Sequence, residues 1–278
     1  MIEEASTTII TTDRVNKMDR MVDLHTHILP GVDDGARDTA ETLEMARQAA
    51  GRQIRVVAAT PHFLGMEWDQ IKAETEKLRK LLADHQIDLM VTAGAELLID
   101  PALIDLAKEE IPTYNDAGRY CLIEFPMLEL PPYAEQVFFS LQVKGITPII
   151  AHPERNREVI ADPNLAAHWI ESGCLIQINA NSLLGSFGPQ VQRVSEIMLK
   201  HHMAHFIASD AHSAGRRGFH LGCSVEKAQR LIAPEIAAKL VSTNPARVIA
   251  GEPVEVPEVI RYRQQRRFWN FGKQRRDD

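Results

Sequence analysis

Cysteine is scarce in this sequence, with three residues in 278, and these lie far apart without a Cys-x-x-Cys pair. Cys121, Cys174 and Cys223 are therefore expected to be free thiols in a reducing compartment. No run of about 18 apolar residues occurs, so we expect no transmembrane helix. The N-terminus also lacks the apolar stretch of a signal peptide. These absences together predict a cytoplasmic protein.

An excess of positive charge is also lacking, because the net charge is −7. This acidic balance argues against general nucleic-acid binding. The charge is unevenly placed, since residues 261–278 contain seven lysines and arginines but two aspartates, with several aromatic residues among them. We predict that this basic tail (residues 261–278) is either a solvated extension or a contact site for an anionic membrane surface or an acidic partner.

Short apolar segments alternate with helical patterns seven times along the chain. The predicted strands cover residues 21–24, 54–59, 89–95, 120–125, 146–151, 174–180 and 204–209. Such alternation predicts parallel strands joined by helices. Seven units favour a seven-stranded parallel barrel in a single α/β domain. An open doubly wound sheet is the alternative, but its Gly-x-Gly-x-x-Gly fingerprint is absent after the first strand.

The barrel is predicted to occupy residues 21–250, between two terminal segments. Residues 1–20 are polar and without periodicity, which predicts a flexible lead-in. Residues 251–278 are predicted to form a C-terminal tail that ends in the basic tail. Between the strands, residues 67–86 have a clear amphipathic helical pattern, and Pro101 is predicted to begin a short helix that runs to Glu110.

The first predicted strand leads into His25-Thr26-His27. Side chains two residues apart share one face of a strand, so the two imidazoles are expected to point the same way. Two imidazoles on one side suit a transition-metal ion. The following turn adds Asp33 and Asp34 as oxygen donors. A lone His-x-His is a weak signal, and two ordinary histidines are the alternative interpretation.

The later strands strengthen the metal interpretation, because six of the seven finish near a residue that can bind a metal. The carboxyl ends of parallel barrel strands meet on one face, so these side chains are expected to converge. The candidate ligands are His25, His27, Asp34, His62, Glu96, Glu124, His152, Asp210 and His212.

The ligand types indicate which ions to expect. Imidazoles and carboxylates without thiolate favour Mn, Fe, Zn or Mg over a structural zinc site. Nine ligands exceed the need of one ion, so we expect two or three, with a carboxylate such as Glu96 as a bridge. Such a cluster polarises a phosphoryl oxygen and activates water as hydroxide, which fits hydrolysis of a phosphate ester.

Arginines near the same strand ends are candidates for phosphate binding. Arg155 follows His152, and Arg216 and Arg217 follow His212. A guanidinium group donates a fork of N–H groups that matches phosphate oxygens. Surface ion pairs are the alternative role for each of these arginines.

These motifs, in this order, resemble the polymerase and histidinol phosphatase (PHP) family, and most closely its bacterial manganese-dependent protein tyrosine phosphatases of capsule and exopolysaccharide control. The resemblance runs from about residue 21 to 250. The matching motifs are His25-Thr-His27, Val32-Asp-Asp-Gly35, Thr60-Pro-His62, Gly94-Ala-Glu96, Ile123-Glu124-Phe125, Ala151-His-Pro-Glu-Arg155 and Ala208-Ser-Asp-Ala-His212.

The resemblance implies a distorted seven-stranded β/α barrel and a site for three metal ions, with Mn²⁺ as the expected ion and Fe, Zn, Mg or Co as alternatives. The implied ligand sets are His25, His27, Glu96 and Asp210 for one ion, Glu96, Glu124 and His152 for the second, and Asp34, His62 and His212 for the third. Arg155 would bind phosphate together with either Arg217 or Arg216. The choice between these two is open, because the family usually has an arginine followed by proline there and this chain has Gly218 after Arg217.

The implied activity is hydrolysis of phosphotyrosine on a protein, such as the tail of a membrane-bound bacterial tyrosine kinase. Metal-activated hydroxide would attack phosphorus directly, and Asp210 or His212 is a candidate proton donor to the leaving group. No cysteine nucleophile is implied, since none of the three cysteines begins a Cys-x₅-Arg sequence. The alternatives are a small-molecule phosphatase of the histidinol-phosphate type and a non-catalytic metal-binding regulator.

Overall fold

The structure is a computed structural model that describes residues 21–63 and 65–263. The predicted flexible segment, residues 1–20, lies outside the described residues, and so does the basic tail from residue 264 onward. Within the described ranges, no helix is both long and apolar enough to cross a membrane.

Eight parallel strands form two sheets in the described part of the chain. The strands are β1 (Met21–Thr26), β2 (Ile54–Ala59), β3 (Met90–Ala93), β4 (Glu96–Leu98), β5 (Tyr120–Glu124), β6 (Thr147–Ala151), β7 (Leu175–Asn179) and β8 (Phe206–Ala208). One sheet has the order β1-β2-β3, and the other has the order β4-β5-β6-β7-β8. Every neighbouring pair is parallel.

Helices follow most of the strands, as the alternating pattern predicted. They are α1 (Thr39–Gly51), α2 (Trp68–Asp84), α3 (Ala134–Val143), α4 (Arg157–Ala161), α5 (Asn164–Glu171), α6 (Ala180–Leu184), α7 (Pro189–Lys200), α8 (Leu221–Ala228), α9 (Pro234–Lys239) and α10 (Thr243–Ile249). In α2 the residues Ile71, Leu78 and Leu82 are buried, because their spacing places them on one helix face.

The strand predicted over residues 89–95 is interrupted in the structure. β3 ends at Ala93 and pairs with β2, whereas Glu96 begins β4 and pairs with Leu122 of β5. A Cβ atom at Gly94 would lie 2.9 Å from Thr60 Cγ2, so glycine permits the close approach at this break. The α/β class and the parallel sheets are confirmed, whereas a seven-stranded barrel is not, since the described strands number eight in two sheets.

The predicted helix from Pro101 to Glu110 is wrong. The structure has two short 3₁₀ turns there, Pro101–Ile104 and Lys108–Glu110. Leu103 is the buried residue of the first turn, and the second turn has none. A helix with so little apolar surface to bury gains little stability from packing.

The two sheets approach each other at the carboxyl ends of their strands. The backbone N–H of Asp210 donates to His25 O at 2.9 Å, and that of His27 donates to Ala211 O at 2.8 Å. On the other side, the N–H of Phe63 donates to Glu96 O at 2.9 Å. These bonds bring the carboxyl ends of β1, β2 and β8 together with the start of β4 and position the predicted ligands.

Candidate metal centre

The end of β1 presents two fully buried imidazoles. His25 and His27 have no exposed surface, and their Nε2 atoms lie 3.2 Å apart. Strand alternation places both on the same face, as predicted. Two ring nitrogens at this distance converge on one point.

Two buried carboxylates face the same point. Glu96 places Oε1 3.3 Å from His25 Nε2 and Oε2 3.4 Å from His27 Nε2. Asp210 Oδ1 lies 3.6 Å and 3.5 Å from these two nitrogens. Both acids are almost completely buried, so positive charge is required beside them.

A second group of ligands surrounds the other side of Glu96. His152 Nε2 lies 3.1 Å from Glu96 Oε1 and 3.6 Å from Glu124 Oε1. His62 Nδ1 lies 3.1 Å from Glu96 Oε2 and 3.9 Å from Glu124 Oε2. Glu96 therefore contacts both groups and is placed as a bridging ligand would be.

A third group lies nearer the solvent. Asp34 Oδ1 is 3.3 Å from His212 Nε2 and 3.5 Å from His62 Nε2, and Asp34 is 60% exposed. The rings of His27 and His212 are 3.8 Å apart. The structure thus brings all nine predicted ligands into one continuous cluster, in four overlapping groups whose potential ligand atoms lie within 4.8 Å of one another.

The electrostatics of the cluster fit divalent cations. Burial opposes ionisation of Asp210, but the charge of His25 and a hydrogen bond with His27 outweigh it and hold the pKa of this carboxyl well below its usual range. Burial lowers the pKa of His25, but Glu96 and Asp210 outweigh it and raise that pKa to about 9. The carboxylates therefore demand positive charge, which either protonated imidazoles or metal ions supply. Imidazole and carboxylate donors are also the right types for Mn²⁺ and related ions.

Asp33 is adjacent to a predicted ligand but has a different role. Its Oδ2 lies 2.6 Å from His27 Nδ1 and accepts from the backbone N–H of His62 at 3.0 Å. Burial opposes ionisation of Asp33, but its bond with His27 outweighs this and lowers its pKa to about 2. Asp33 therefore orients His27 and leaves its Nε2 facing the cluster.

Two polar residues of β7 support the ligands and were not predicted. Gln177 Oε1 lies 3.0 Å from His25 Nδ1, and Asn179 Nδ2 donates to Asp210 Oδ2 at 2.8 Å. Both are fully buried. A glutamine and an asparagine two residues apart in an otherwise apolar strand were the available signal, since they share one face.

The backbone is left-handed at two predicted ligands, His152 (φ 30°) and Asp210 (φ 52°). This conformation is uncommon for residues other than glycine and costs of the order of 1–3 kcal/mol. Such strain tends to occur at functional sites, where the surrounding structure enforces it.

The three candidate arginines differ in their position relative to the cluster. Arg155 Nη1 and Arg217 Nη2 donate to the same atom, Asp210 Oδ2, at 3.1 Å and 3.2 Å. Arg217 Nη1 also lies 3.7 Å from Asp34 Oδ2. Arg216 is exposed, and no contact of its side chain with the cluster is recorded among the described residues. The structure therefore places Arg155 and Arg217, not Arg216, at the predicted metal centre.

A family model for capsular polysaccharide synthesis proteins, CpsB/CapC, matches residues 21–250. The chain belongs to the CpsB/CapC family. Tyrosine-protein phosphatase YwqE of Bacillus subtilis is 43% identical over 205 residues, which cover 72% of this chain and 80% of YwqE. CapC of Staphylococcus aureus is 40% identical over 206 residues, which cover 72% of this chain and 80% of CapC.

A solved structure agrees with this CpsB/CapC assignment. It comes from work on YwqE from Bacillus subtilis and CpsB from Streptococcus pneumoniae, which are called unique metal-dependent tyrosine phosphatases. It matches with a TM-score of 0.83 at 37% identity, covering 88% of this chain and 100% of that one. The predicted family and the predicted tyrosine-phosphatase enzyme are confirmed, and these relatives support that prediction rather than its small-molecule alternative. Metal dependence agrees with the ligand cluster.

Proposed function

We propose that this CpsB/CapC family member is a manganese-dependent phosphatase that hydrolyses phosphotyrosine on a protein. The observation that carries the proposal is the convergence of nine metal-competent side chains and two arginines at the carboxyl ends of the strands. Cations and guanidinium groups together stabilise the charge of a phosphoryl group in transfer. The proposed attack on phosphorus is direct and uses no cysteine nucleophile.

We assign the nine ligands to three ions, the first two of which share Glu96. The first set is His25, His27, Glu96 and Asp210, the second is Glu96, Glu124 and His152, and the third is Asp34, His62 and His212. The position of Glu96 supports its sharing, because its Oε1 lies 3.3 Å from His25 of the first set and 3.1 Å from His152 of the second. Mn²⁺ suits these donors, as do Fe, Zn, Mg and Co.

When bound, such ions would polarise a phosphoryl oxygen and activate water for attack at neutral pH. The chain's own contribution is to bind and orient the phosphate. Arg155 and Arg217 both point at Asp210, which holds their guanidinium groups beside the cluster. The Nε atom of Arg217 is buried and has no hydrogen-bond partner among the described residues. Phosphate oxygens would be bound by the forked N–H groups of the two guanidinium ends.

Asp210 acts here as a ligand and as an arginine partner rather than as a proton donor. Despite its burial, the charge of His25 holds the pKa of its carboxyl well below the usual range, so it stays ionised. Tyrosine has an ordinary pKa of about 10, so its phenolate leaves more readily than an alkoxide. We therefore expect the phenolate to depart without a proton from Asp210.

We infer that the two sheets act as one distorted seven-stranded barrel in which β3 and β4 are a single bent strand. Backbone hydrogen bonds on both sides support this view, from Asp210 N to His25 O and from Phe63 N to Glu96 O. Residues 21–250 would then be the catalytic domain, followed by the tail 251–278.

We propose the phosphorylated tail of a membrane-bound bacterial tyrosine kinase as the substrate, in the control of capsule or exopolysaccharide synthesis. The description of the family supports this context. The basic tail would help by contacting anionic lipids. We place the reaction in the cytoplasm, because Cys121 and Cys174 are buried free thiols, which are typical of a reducing compartment.

Phosphate release from a phosphotyrosine peptide tests the proposal. Metal-stripped protein is measured alone and after addition of Mn²⁺, Mg²⁺ or Zn²⁺, beside a His62→Ala variant. We expect Mn²⁺ to restore activity in the wild type and not in the variant, because His62 faces both Glu96 and Asp34. His85→Ala, at an exposed position after α2, is the matched control and should behave as the wild type.

Two outcomes would contradict the proposal. Hydrolysis of histidinol phosphate or other small esters, but not of the peptide, would indicate a small-molecule phosphatase. Stoichiometric metal binding without hydrolysis of any ester would indicate a non-catalytic regulator.

A further inference from the structure

Phe187 lies in the short loop between α6 and α7, with a glycine two residues before it and another directly after it. Gly185 and Gly188 have φ angles of 90° and 95°, a conformation that side chains with a Cβ rarely adopt. A Cβ at Gly188 would meet nothing within 4 Å, so the backbone angle is what requires glycine there. These two left-handed positions fix the course of the loop and hence the position of Phe187.

The ring of Phe187 contacts a proposed phosphate-binding group. Its centroid lies 4.5 Å from Cζ of Arg155, a favourable cation–π distance. Arg155 Nη1 meanwhile donates to Asp210 Oδ2 at 3.1 Å. The guanidinium group is thus held by the aromatic ring and by the carboxylate at once, which restricts its orientation.

Phe187 also has surface left for a ligand. Its side chain is half-buried, and Gly188 beside it has no side chain to cover the ring. In an aryl phosphate, a single ester oxygen joins the ring to phosphorus. A phosphate bound by Arg155 therefore brings its aryl ring close to the side chains that touch Arg155.

We propose that Phe187 is a specificity-determining residue that favours aryl over alkyl phosphate monoesters by packing against the ring of phosphotyrosine. This inference rests on the proposed function and adds to it the source of the preference for tyrosine. A phosphoserine side chain has a methylene group where phosphotyrosine has a ring, so it gains little from this contact. Ring–ring packing of this kind is worth about three- to tenfold in affinity.

The test compares a phosphotyrosine peptide with the same peptide carrying phosphoserine, using the Mn²⁺-loaded full chain. Phe187→Leu removes the ring, and Phe187→Tyr keeps it. Phe139→Leu removes an exposed phenylalanine on α3 and serves as the matched control. We expect Phe187→Leu to lower kcat/KM for both peptides through its contact with Arg155. The phosphotyrosine peptide should lose about three- to tenfold more, mainly through KM, and Phe187→Tyr and Phe139→Leu should keep the wild-type ratio.

Two non-hydrolysable inhibitors provide a readout that does not depend on turnover. Phenylphosphonate carries a ring and methylphosphonate does not, so Phe187→Leu should weaken the first more than the second. An unchanged ratio in both assays would overturn the inference, even if both ligands weakened together, because Phe187 would then act only through Arg155. Phe187→Met replaces Phe187→Leu if thermal unfolding shows that the leucine variant does not fold.

Failure of the proposed phosphatase function is distinguishable from failure of the inference about Phe187. A wild-type protein that binds both phosphonates but hydrolyses neither peptide would refute the phosphatase proposal. The ratio of the two phosphonate affinities would still decide the role of Phe187.

Discussion

The Nε2 atoms of His25 and His27 face each other at 3.2 Å. Two lone pairs cannot approach in this way without a proton or a cation between them. Glu96 and Asp210 place carboxylate oxygens within 3.3–3.6 Å of the same pair. Two imidazoles and two carboxylates thus surround one fully buried point, and this arrangement marks the position of the first proposed ion.

Replacing Glu96 by glutamine is expected to reduce the number of Mn²⁺ ions bound and to abolish metal-dependent phosphate release. Glu96 contacts histidines of more than one ligand group, so its charge serves more than one ion. Substitution of a residue that only hydrogen-bonds to a metal ligand lowers metal affinity or activity about 10- to 100-fold. Loss of a ligand shared by two ions should therefore lower activity by at least roughly 100-fold. Native mass spectrometry gives the stoichiometry. Glu74→Gln, in a surface ion pair with Lys77, is the control, and full metal loading of Glu96→Gln would refute the assignment.

Arg217→Ala and Arg216→Ala are expected to differ sharply. Arg217 donates to Asp210 beside the cluster, whereas Arg216 is exposed. A hydrogen bond to a charged group is worth about 1.5–3 kcal/mol, so loss of Arg217 should lower kcat/KM roughly 10- to 100-fold. Arg216→Ala should stay near the wild type. Steady-state kinetics on a phosphotyrosine peptide decide the matter, and equal losses in both variants would contradict the assignment.

Gly35→Ala is expected to destabilise the protein and to disturb the metal centre. A Cβ at this position would lie 2.1 Å from the backbone oxygen of His27 and 2.4 Å from its Cβ, so the β1 end must move. Overpacking of this kind costs about 1–3 kcal/mol or more. Urea unfolding measures the loss. Gly51→Ala, where a Cβ meets nothing within 4 Å, should be neutral or slightly stabilising, and similar losses in both variants would argue against the clash.

His205 is expected to make the protein less stable as the pH falls from about 6.5 to 4. Burial lowers the pKa of its imidazole from 6.5 to about 4, so the unfolded chain binds the extra proton first in this interval and is favoured there. A shift of this size corresponds to roughly 3 kcal/mol. His205→Asn retains an acceptor for the N–H of Ile176, which now donates to Nδ1.

Urea unfolding of the wild type and of His205→Asn between pH 7 and 4.5 measures this effect. The variant should show a shallower loss of stability with falling pH, whereas the same substitution at the exposed His85 should leave the wild-type slope. Identical slopes in His205→Asn and the wild type would contradict the prediction.

Much of the candidate site was predictable because its signals are local. His25 and His27 lie at the end of the apolar strand β1, and His152 directly follows β6, so strand periodicity and parallel order suffice to place them at one end of the sheets. The position of Glu96 was harder to predict. It begins β4 rather than ending the preceding strand, because the chain changes sheets at Gly94, and that choice depends on the neighbours of both segments.

The supporting roles of Gln177 and Asn179 were not predictable either, because they too depend on residues that are distant in sequence. His25 meets Gln177 across 152 positions of sequence, and Asn179 meets Asp210 across 31. The local sequence around these residues does not indicate that the two members of each pair are in contact.

The sequence by itself determined the family, the α/β class and the supply of nine metal-competent side chains near strand ends, since these depend on residue type and spacing. Only the tertiary structure decided that Arg217 rather than Arg216 turns toward Asp210, that Asp33 holds His27, and that Phe187 covers Arg155. Each of these outcomes depends on the direction of a side chain relative to a partner that the fold, not the adjacent sequence, brings within reach.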